Sequence, residues 1–270
     1  MTLIKYIILG IIQGITEPLP ISSSGHIFIF KHIFKTEIFN DLNLEIFLNF
    51  ASFIAIFIIF WNDIIKLLNG FFKYIFDKNN RNKYYDEFKY CLLIIIGSIP
   101  VGITGLLFKD EIELFLNKTW IVGLTFLVTG ICLIIVRNIN GKKSDNDITY
   151  KDALIIGLIQ ALALLPGLSR SGMVLVGCLL VKLSRESALK YTFMLYLPVS
   201  VATFLLGLKD VIEVGFNSNM ILYYVLGMFF SGVFTFLTYN VLSNMVKKGK
   251  LWKFSIYLFI IGIIVLIYFK

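Results

Sequence analysis

Apolar residues do not alternate along this chain; they come in long runs separated by short polar stretches. Six runs are uninterrupted: Leu44–Phe60, Cys91–Phe108, Trp120–Val136, Ala188–Leu208, Met220–Asn240 and Trp252–Phe269. Each approaches the roughly 20 residues a helix needs to cross a hydrocarbon layer. Two further runs, Leu3–Phe30 and Ala153–Val181, are broken in the middle by polar residues and proline. The stretch Trp61–Lys89 is polar and charged, with an amphipathic piece at Ile64–Ile75. The pattern predicts an all-α polytopic membrane protein forming one domain over residues 1–270.

The two broken runs resemble each other. "GIIQGITEPLPISSSG" (Gly10–Gly25) aligns without a gap on "GLIQALALLPGLSRSG" (Gly157–Gly172) at a constant offset of 147 residues. Gln13 meets Gln160, Ser22 meets Ser169, Ser24 meets Ser171 and Gly25 meets Gly172. Each copy is followed by three full spans. The chain is therefore expected to be two repeats, residues 1–140 and 150–270. Each repeat would be a re-entrant helical hairpin plus three transmembrane helices. Three crossings per unit invert the second copy, an arrangement that builds a site at the midplane of a bilayer from broken helices.

Charge tests that topology. With both broken runs re-entrant, one side collects seventeen Lys and Arg and the other collects seven: Lys5, Lys31, Lys35, Lys109, Lys118, Lys209 and Lys270. If Ala153–Val181 crossed fully, the two sides would be nearly even. The bias favours re-entrance and puts the richer side, with the Trp61–Lys89 loop, in the cytoplasm. Both chain ends and the opening of the first hairpin then face outward.

Composition agrees. The 270 residues are 58% hydrophobic and 16% charged, against about 45–50% and about 25% in soluble domains. The net charge of +8 does not point to nucleic acid, because the cations sit in short loops between apolar spans. Cys91, Cys132 and Cys178 lie in apolar runs with no pairing or metal spacing and read as small hydrophobes. No cleavable signal peptide is expected, since the first apolar run lacks a small-residue cleavage site.

The chemistry concentrates at the two breaks. Gln13 and Glu17 share a helix face, and Pro18 pushes Glu17 out of the helix. A carboxylate at the negative end of a helix dipole, inside a membrane, needs a cation. Either an arginine or a hard metal held by oxygens and substrate phosphates would serve. Ser22, Ser23 and Ser24 open the following half-helix, whose N–H groups can bind an anion. Gly25 would let a ligand approach the backbone, and His26 can act as acid, base or nucleophile. The second break repeats the serine cap with Ser169 and Ser171 and adds Arg170, whose guanidinium grips phosphate with a fork. Glu45 and Asn49, four apart at the mouth of the first full span, are either supports for the site or interfacial residues.

Together "QGITEPLPISSSGH" and "LLPGLSRSG" resemble the two motifs of the bacterial undecaprenyl-diphosphate phosphatase family, the bacitracin-resistance proteins, over nearly the whole chain. The resemblance implies a cell-membrane enzyme that hydrolyses undecaprenyl diphosphate to the monophosphate, recycling the lipid carrier of cell-wall synthesis and lowering bacitracin's target. It implies Glu17, Ser23, His26 and Arg170 as catalytic residues and Gln13, Ser22, Ser24, Ser169 and Ser171 around the substrate. Glu17 and Gln13 would hold a divalent cation, magnesium with calcium as the alternative. Ser23 or His26 would attack, or one of them would activate water, with Ser23 attacking and His26 assisting as the preferred reading. The partners implied are a polyprenyl diphosphate and membrane lipids, with no nucleic acid and room for a homodimer. Two departures stand out: Gln13 where the family often has glutamate, and Val174 where the second motif commonly has threonine. A transporter or flippase of undecaprenyl phosphate or another anion is the competing reading, since inverted repeats also build carriers.

Overall fold

A computed structural model describes residues 2–34, 42–108, 111, 118–214 and 220–268. Lys35, Lys109, Lys270 and Phe269, used in the sequence reading, lie outside the described residues. Among the described residues the secondary structure is helical, with one isolated bridge between Lys143 and Leu183. The first broken run becomes α1 (Thr2–Thr16) and α2 (Ser23–Phe34). Then come α3 (Leu42–Ile59), α4 (Trp61–Phe76), α5 (Tyr85–Leu107) and α6 (Thr119–Ile135). The second broken run becomes α7 (Tyr150–Leu162) and α8 (Arg170–Leu180). The chain ends with α9 (Arg185–Val214), α10 (Ile221–Lys247) and α11 (Trp252–Tyr268).

All six uninterrupted runs are helical, but they are not equal. Three helical stretches are long and apolar enough to cross alone: Lys78–Leu107, Arg185–Lys209 and Ile221–Lys247. α6 and α11, at 17 residues each, sit at the short end of the spanning range. α3 turns through 74° into the amphipathic α4. α4 was legible as a helix from Ile64–Ile75; the bend at Phe60 was not, because no Gly or Pro marks it. Large apolar side chains such as Ile58, Leu106, Ile135, Leu205 and Phe229 are exposed. Such a surface suits hydrocarbon, where helices satisfy their own backbone bonds, and marks a multi-pass membrane protein.

The packing is reciprocal. α1 lies along α10 and α7 lies along α5; α3 also meets α10, and α9 also meets α5. Glycine makes the closest crossings. A Cβ at Gly10 would fall 2.2 Å from the Gly227 carbonyl oxygen, and one at Gly157 would fall 2.4 Å from that of Gly97. α6 and α11 cross at Gly123 and Gly262, each facing the other's carbonyl. Small residues let membrane helices approach this closely, and hydroxyls then bond across the interface. Ser231 Oγ donates to the Leu48 carbonyl, and Thr235 Oγ1 donates to Ser52 Oγ, both at 2.9 Å.

At the loop end, Thr149 and Asp152 form a capping box that starts α7. Lys190 joins Asp63 and Asp145 at 2.8 and 3.2 Å. These contacts fix α4, the start of α7 and α9 relative to one another.

Candidate active site

The first tip forms because α1 cannot continue. Glu17 N–H makes the last helical bond, to the Gln13 carbonyl at 2.9 Å, and Pro18 follows. The chain reverses through Ser22, whose φ of 69° lies where non-glycine residues are strained. Ser22 Oγ accepts the Gly25 N–H at 3.2 Å, and α2 begins. The second tip repeats this design. Gly167 has φ +84°, and a Cβ there would fall 2.2 Å from Thr125 Oγ1. Ser169 Oγ accepts the Gly172 N–H at 3.1 Å, so α8 opens with Arg170. Thr125 Oγ1 donates to the Pro166 carbonyl at 2.9 Å and fastens this tip to α6.

The two tips converge on one carboxylate. The Glu17 side chain is only 7% exposed. Its Oε1 accepts from Arg170 Nη2 at 2.9 Å. Its Oε2 accepts from Gln13 Nε2 at 2.9 Å and from Ser23 Oγ. The cation that Glu17 demands is therefore Arg170, delivered from the other half of the chain. Arg170 is 29% exposed and its guanidinium lies over the buried Tyr196 ring, 4.7 Å from the centroid. Gln13 Nε2 also donates to Asn49 Oδ1, which makes Asn49 a support for the site. Arg170 and Asn49 open into a cavity of about 60 Å³ with Ser200 and Thr203 on its wall. Phe50 and Phe204, stacked at 3.8 Å, belong to the same wall.

The other expected residues have separate tasks. Ser22 and Ser169 are buried helix caps. Ser171 Oγ donates across the tips to the Leu19 carbonyl at 3.1 Å, and Ser24 is exposed beside Ser22 Oγ at 3.2 Å. An anion at these tips would meet the unpaired N–H groups inherent to a helix start rather than the capping hydroxyls. Gly25 does not open the backbone to a ligand, because a Cβ there would fall 2.5 Å from the Phe126 ring. Val174 is buried in the apolar core.

His26 is not brought onto Ser23. Its Nδ1 lies 2.7 Å from the Ser22 carbonyl and its Nε2 lies 2.6 Å from Tyr257 Oη. Ser23 turns toward Glu17 while His26, three residues on, turns toward α11. The partners Tyr196 and Tyr257 escaped the sequence reading. The 147-residue offset carries Asn49 onto Tyr196, a signal available had the repeat been extended beyond the hairpins.

Among the described residues there is no group of three His, Cys, Asp or Glu arranged for a metal ion. The donors near Glu17 suit a different kind of site. Gln13 Oε1 is buried and has no hydrogen-bond partner among the described residues. One carboxylate and one free amide oxygen fit a hard cation that completes its shell with water and substrate phosphate.

Residues 6–264 match the family described as bacitracin resistance protein BacA. "Undecaprenyl-diphosphatase 1" of Bacillus licheniformis is 39% identical, over 99% of this chain and 98% of its own length. "Undecaprenyl-diphosphatase 2" of Bacillus thuringiensis is 38% identical, over 98% of this chain and 97% of its own. "Undecaprenyl-diphosphatase" of Oceanobacillus iheyensis is 37% identical, over 99% and 97%. The match spans both tips and the helices that hold them: the chain belongs to the bacitracin resistance protein BacA family.

Proposed function

We propose that this protein hydrolyses undecaprenyl diphosphate to undecaprenyl phosphate and inorganic phosphate. One observation carries the reading beyond the family match. A serine hydroxyl at a helix N-terminus donates to a buried carboxylate that an arginine from a second helix N-terminus also grips. Nucleophile, base and phosphate clamp thus meet within one hydrogen-bonded cluster. Recycling the carrier in this way also removes the diphosphate that bacitracin binds.

In the proposed reaction the substrate's phosphates displace the Glu17 carboxylate from Arg170. The guanidinium and the N–H groups that open α2 and α8 then neutralise the phosphoryl oxygens, the dominant contribution in phosphoryl transfer. Ser23 Oγ attacks the terminal phosphorus and gives its proton to Glu17. The anhydride P–O bond breaks, and its electron pair leaves with undecaprenyl phosphate. Water then cleaves the phosphoserine, one of the water protons restoring the Ser23 hydroxyl and the rest of the water leaving in inorganic phosphate, and Glu17 releases the proton it took to solvent. Glu17 and Gln13 Oε1 would hold a divalent cation, magnesium by preference, which supplies neutralising charge to the diphosphate when bound.

We further infer that the fold is an inverted-topology repeat whose two re-entrant hairpins bring the tips together. The 147-residue offset and the reciprocal glycine crossings Gly10–Gly227 and Gly157–Gly97 support this reading. The lysine and arginine bias supports a site that opens to the outer face of a bacterial cell membrane. The deciding experiment is phosphate release by purified protein from undecaprenyl or farnesyl diphosphate, with and without magnesium. Turnover is expected. No release, together with protein-dependent lipid flipping in vesicles, replaces the phosphatase with a carrier.

A further inference from the structure

We infer that Tyr257 is a positioning residue that acts through His26 to fix the turn presenting Ser23; the inference rests on Ser23 as the reacting group. The Ser22 backbone sits at φ 69°, a strained conformation for a serine that persists only when its surroundings hold it. Four contacts hold it, one of them the His26 backbone N–H donating to the Ser22 carbonyl at 3.3 Å. Ser22 Oγ takes the Gly25 N–H at 3.2 Å and sits 3.2 Å from Ser24 Oγ. The Ser22 carbonyl faces His26 Nδ1 at 2.7 Å.

A carbonyl can only accept, so Nδ1 carries the proton. In a neutral imidazole Nε2 is then an acceptor, and Tyr257 Oη, 2.6 Å away, donates to it. The chain of donation therefore runs from Tyr257 to His26 to Ser22. His26 is 5% exposed. Its ring stacks on Tyr257, with centroids 5.6 Å apart and planes within 9°, and packs against Phe126 at 5.2 Å. Neither ring nitrogen is left to take the Ser23 proton. What the imidazole does hold is the carbonyl of the residue immediately before Ser23. A shift in that turn swings Ser23 Oγ off Glu17, because Ser23 is the first residue of α2. Tyr257 stands 231 positions away in sequence, on the helix that ends the chain. The final span thereby helps to aim a nucleophile near the start.

The test is a double-mutant cycle on the full-length purified enzyme, read by kcat and KM for farnesyl diphosphate. His26→Asn keeps a side-chain N–H near the Ser22 carbonyl but cannot shuttle a proton. It is expected to retain kcat within about tenfold of wild type, whereas His26→Ala loses about a hundredfold or more. Tyr257→Phe removes one hydrogen bond and keeps the stacked ring. It is expected to lower kcat about fivefold, the worth of a typical hydrogen bond, with KM unchanged. In the His26→Asn background the same Tyr257 change is expected to have no further effect.

His26→Asn as inactive as His26→Ala, with both proteins monodisperse, would overturn the inference in favour of a proton-transferring histidine. Unchanged kcat in Tyr257→Phe, or an undiminished loss in the His26→Asn background, overturns the role of Tyr257. A second readout needs no turnover and so separates this inference from the phosphatase reading. The chain has two histidines. In a His32→Gln background the imidazole ¹⁵N resonances belong to His26 alone. They are expected to report the Nδ1–H tautomer, and Tyr257→Phe is expected to shift the Nε2 resonance. An Nε2–H tautomer overturns the chain of donation.

Discussion

Glu17→Gln separates the two jobs that the structure gives one carboxylate. The substitution preserves shape and removes the charge. In the native site Oε2 accepts from Gln13 Nε2 and from Ser23 Oγ, while Oε1 accepts from Arg170. A glutamine can keep its oxygen on Arg170 only by turning its NH₂ toward two donors. Ser23 then loses both its hydrogen-bond acceptor and its proton acceptor. Loss of a positioned base typically costs about 10²–10⁴-fold in rate, and a hydrogen bond to a charged group is worth about 1.5–3 kcal/mol. We expect kcat to fall at least a hundredfold. KM is expected to stay level or decrease, because substrate phosphate no longer competes with a carboxylate for Arg170. The assay is steady-state phosphate release from farnesyl diphosphate, with thermal unfolding in detergent to verify folding. A kcat within about threefold of wild type refutes Glu17 as the proton acceptor. An intact kcat with a large rise in KM would recast it as a binding residue.

Three further outcomes are expected. Arg170→Ala abolishes turnover in a folded protein, and Arg170→Lys restores little of it, since an ammonium replaces neither the fork nor the planar stack on Tyr196; wild-type phosphate release in either variant removes the clamp. Gln13→Glu adds a negative oxygen beside Glu17 and lowers the magnesium concentration for half-maximal rate; an unchanged or higher requirement leaves Gln13 as a hydrogen-bonding residue only. Single cysteines at Thr2 and Asn79, in a background without Cys91, Cys132 and Cys178, report sidedness: an impermeant thiol reagent on intact cells labels position 2 and spares position 79, and labelling of position 79 alone inverts the topology.

Local chemistry was the legible part of this chain. Pro18 ends α1 wherever the tip lies in space, and a serine followed three residues later by glycine caps α2 and α8 alike. The cost of a lone arginine in an apolar run identified Arg170 without a structure. Direction was not legible. Ser23 and His26 are three apart, which on a helix leaves them free to face one cleft or two neighbours, and packing against Phe126 and Tyr257 chose the second. Tyr257 could not be recognised, because a tyrosine on a lipid-facing span reads equally as an interfacial anchor. The same holds for the short α6 and α11: their glycines were visible, but the crossing at Gly123 and Gly262 exists only once the two halves are folded together.

The pairing of Glu17 with Arg170 also bears on how the protein is made. The two residues lie 153 positions apart, so the ribosome emits the acid long before the base. Until α8 emerges, Glu17 has no cationic partner, and an unpaired ionisable side chain among apolar membrane helices is costly. The early hairpin must therefore stay protonated, remain at the interface, or be sheltered by the insertion machinery. Its final seating is coupled to synthesis of the second half, so an enzyme cut between Glu17 and Arg170 would regain its buried cluster only when both fragments are made together.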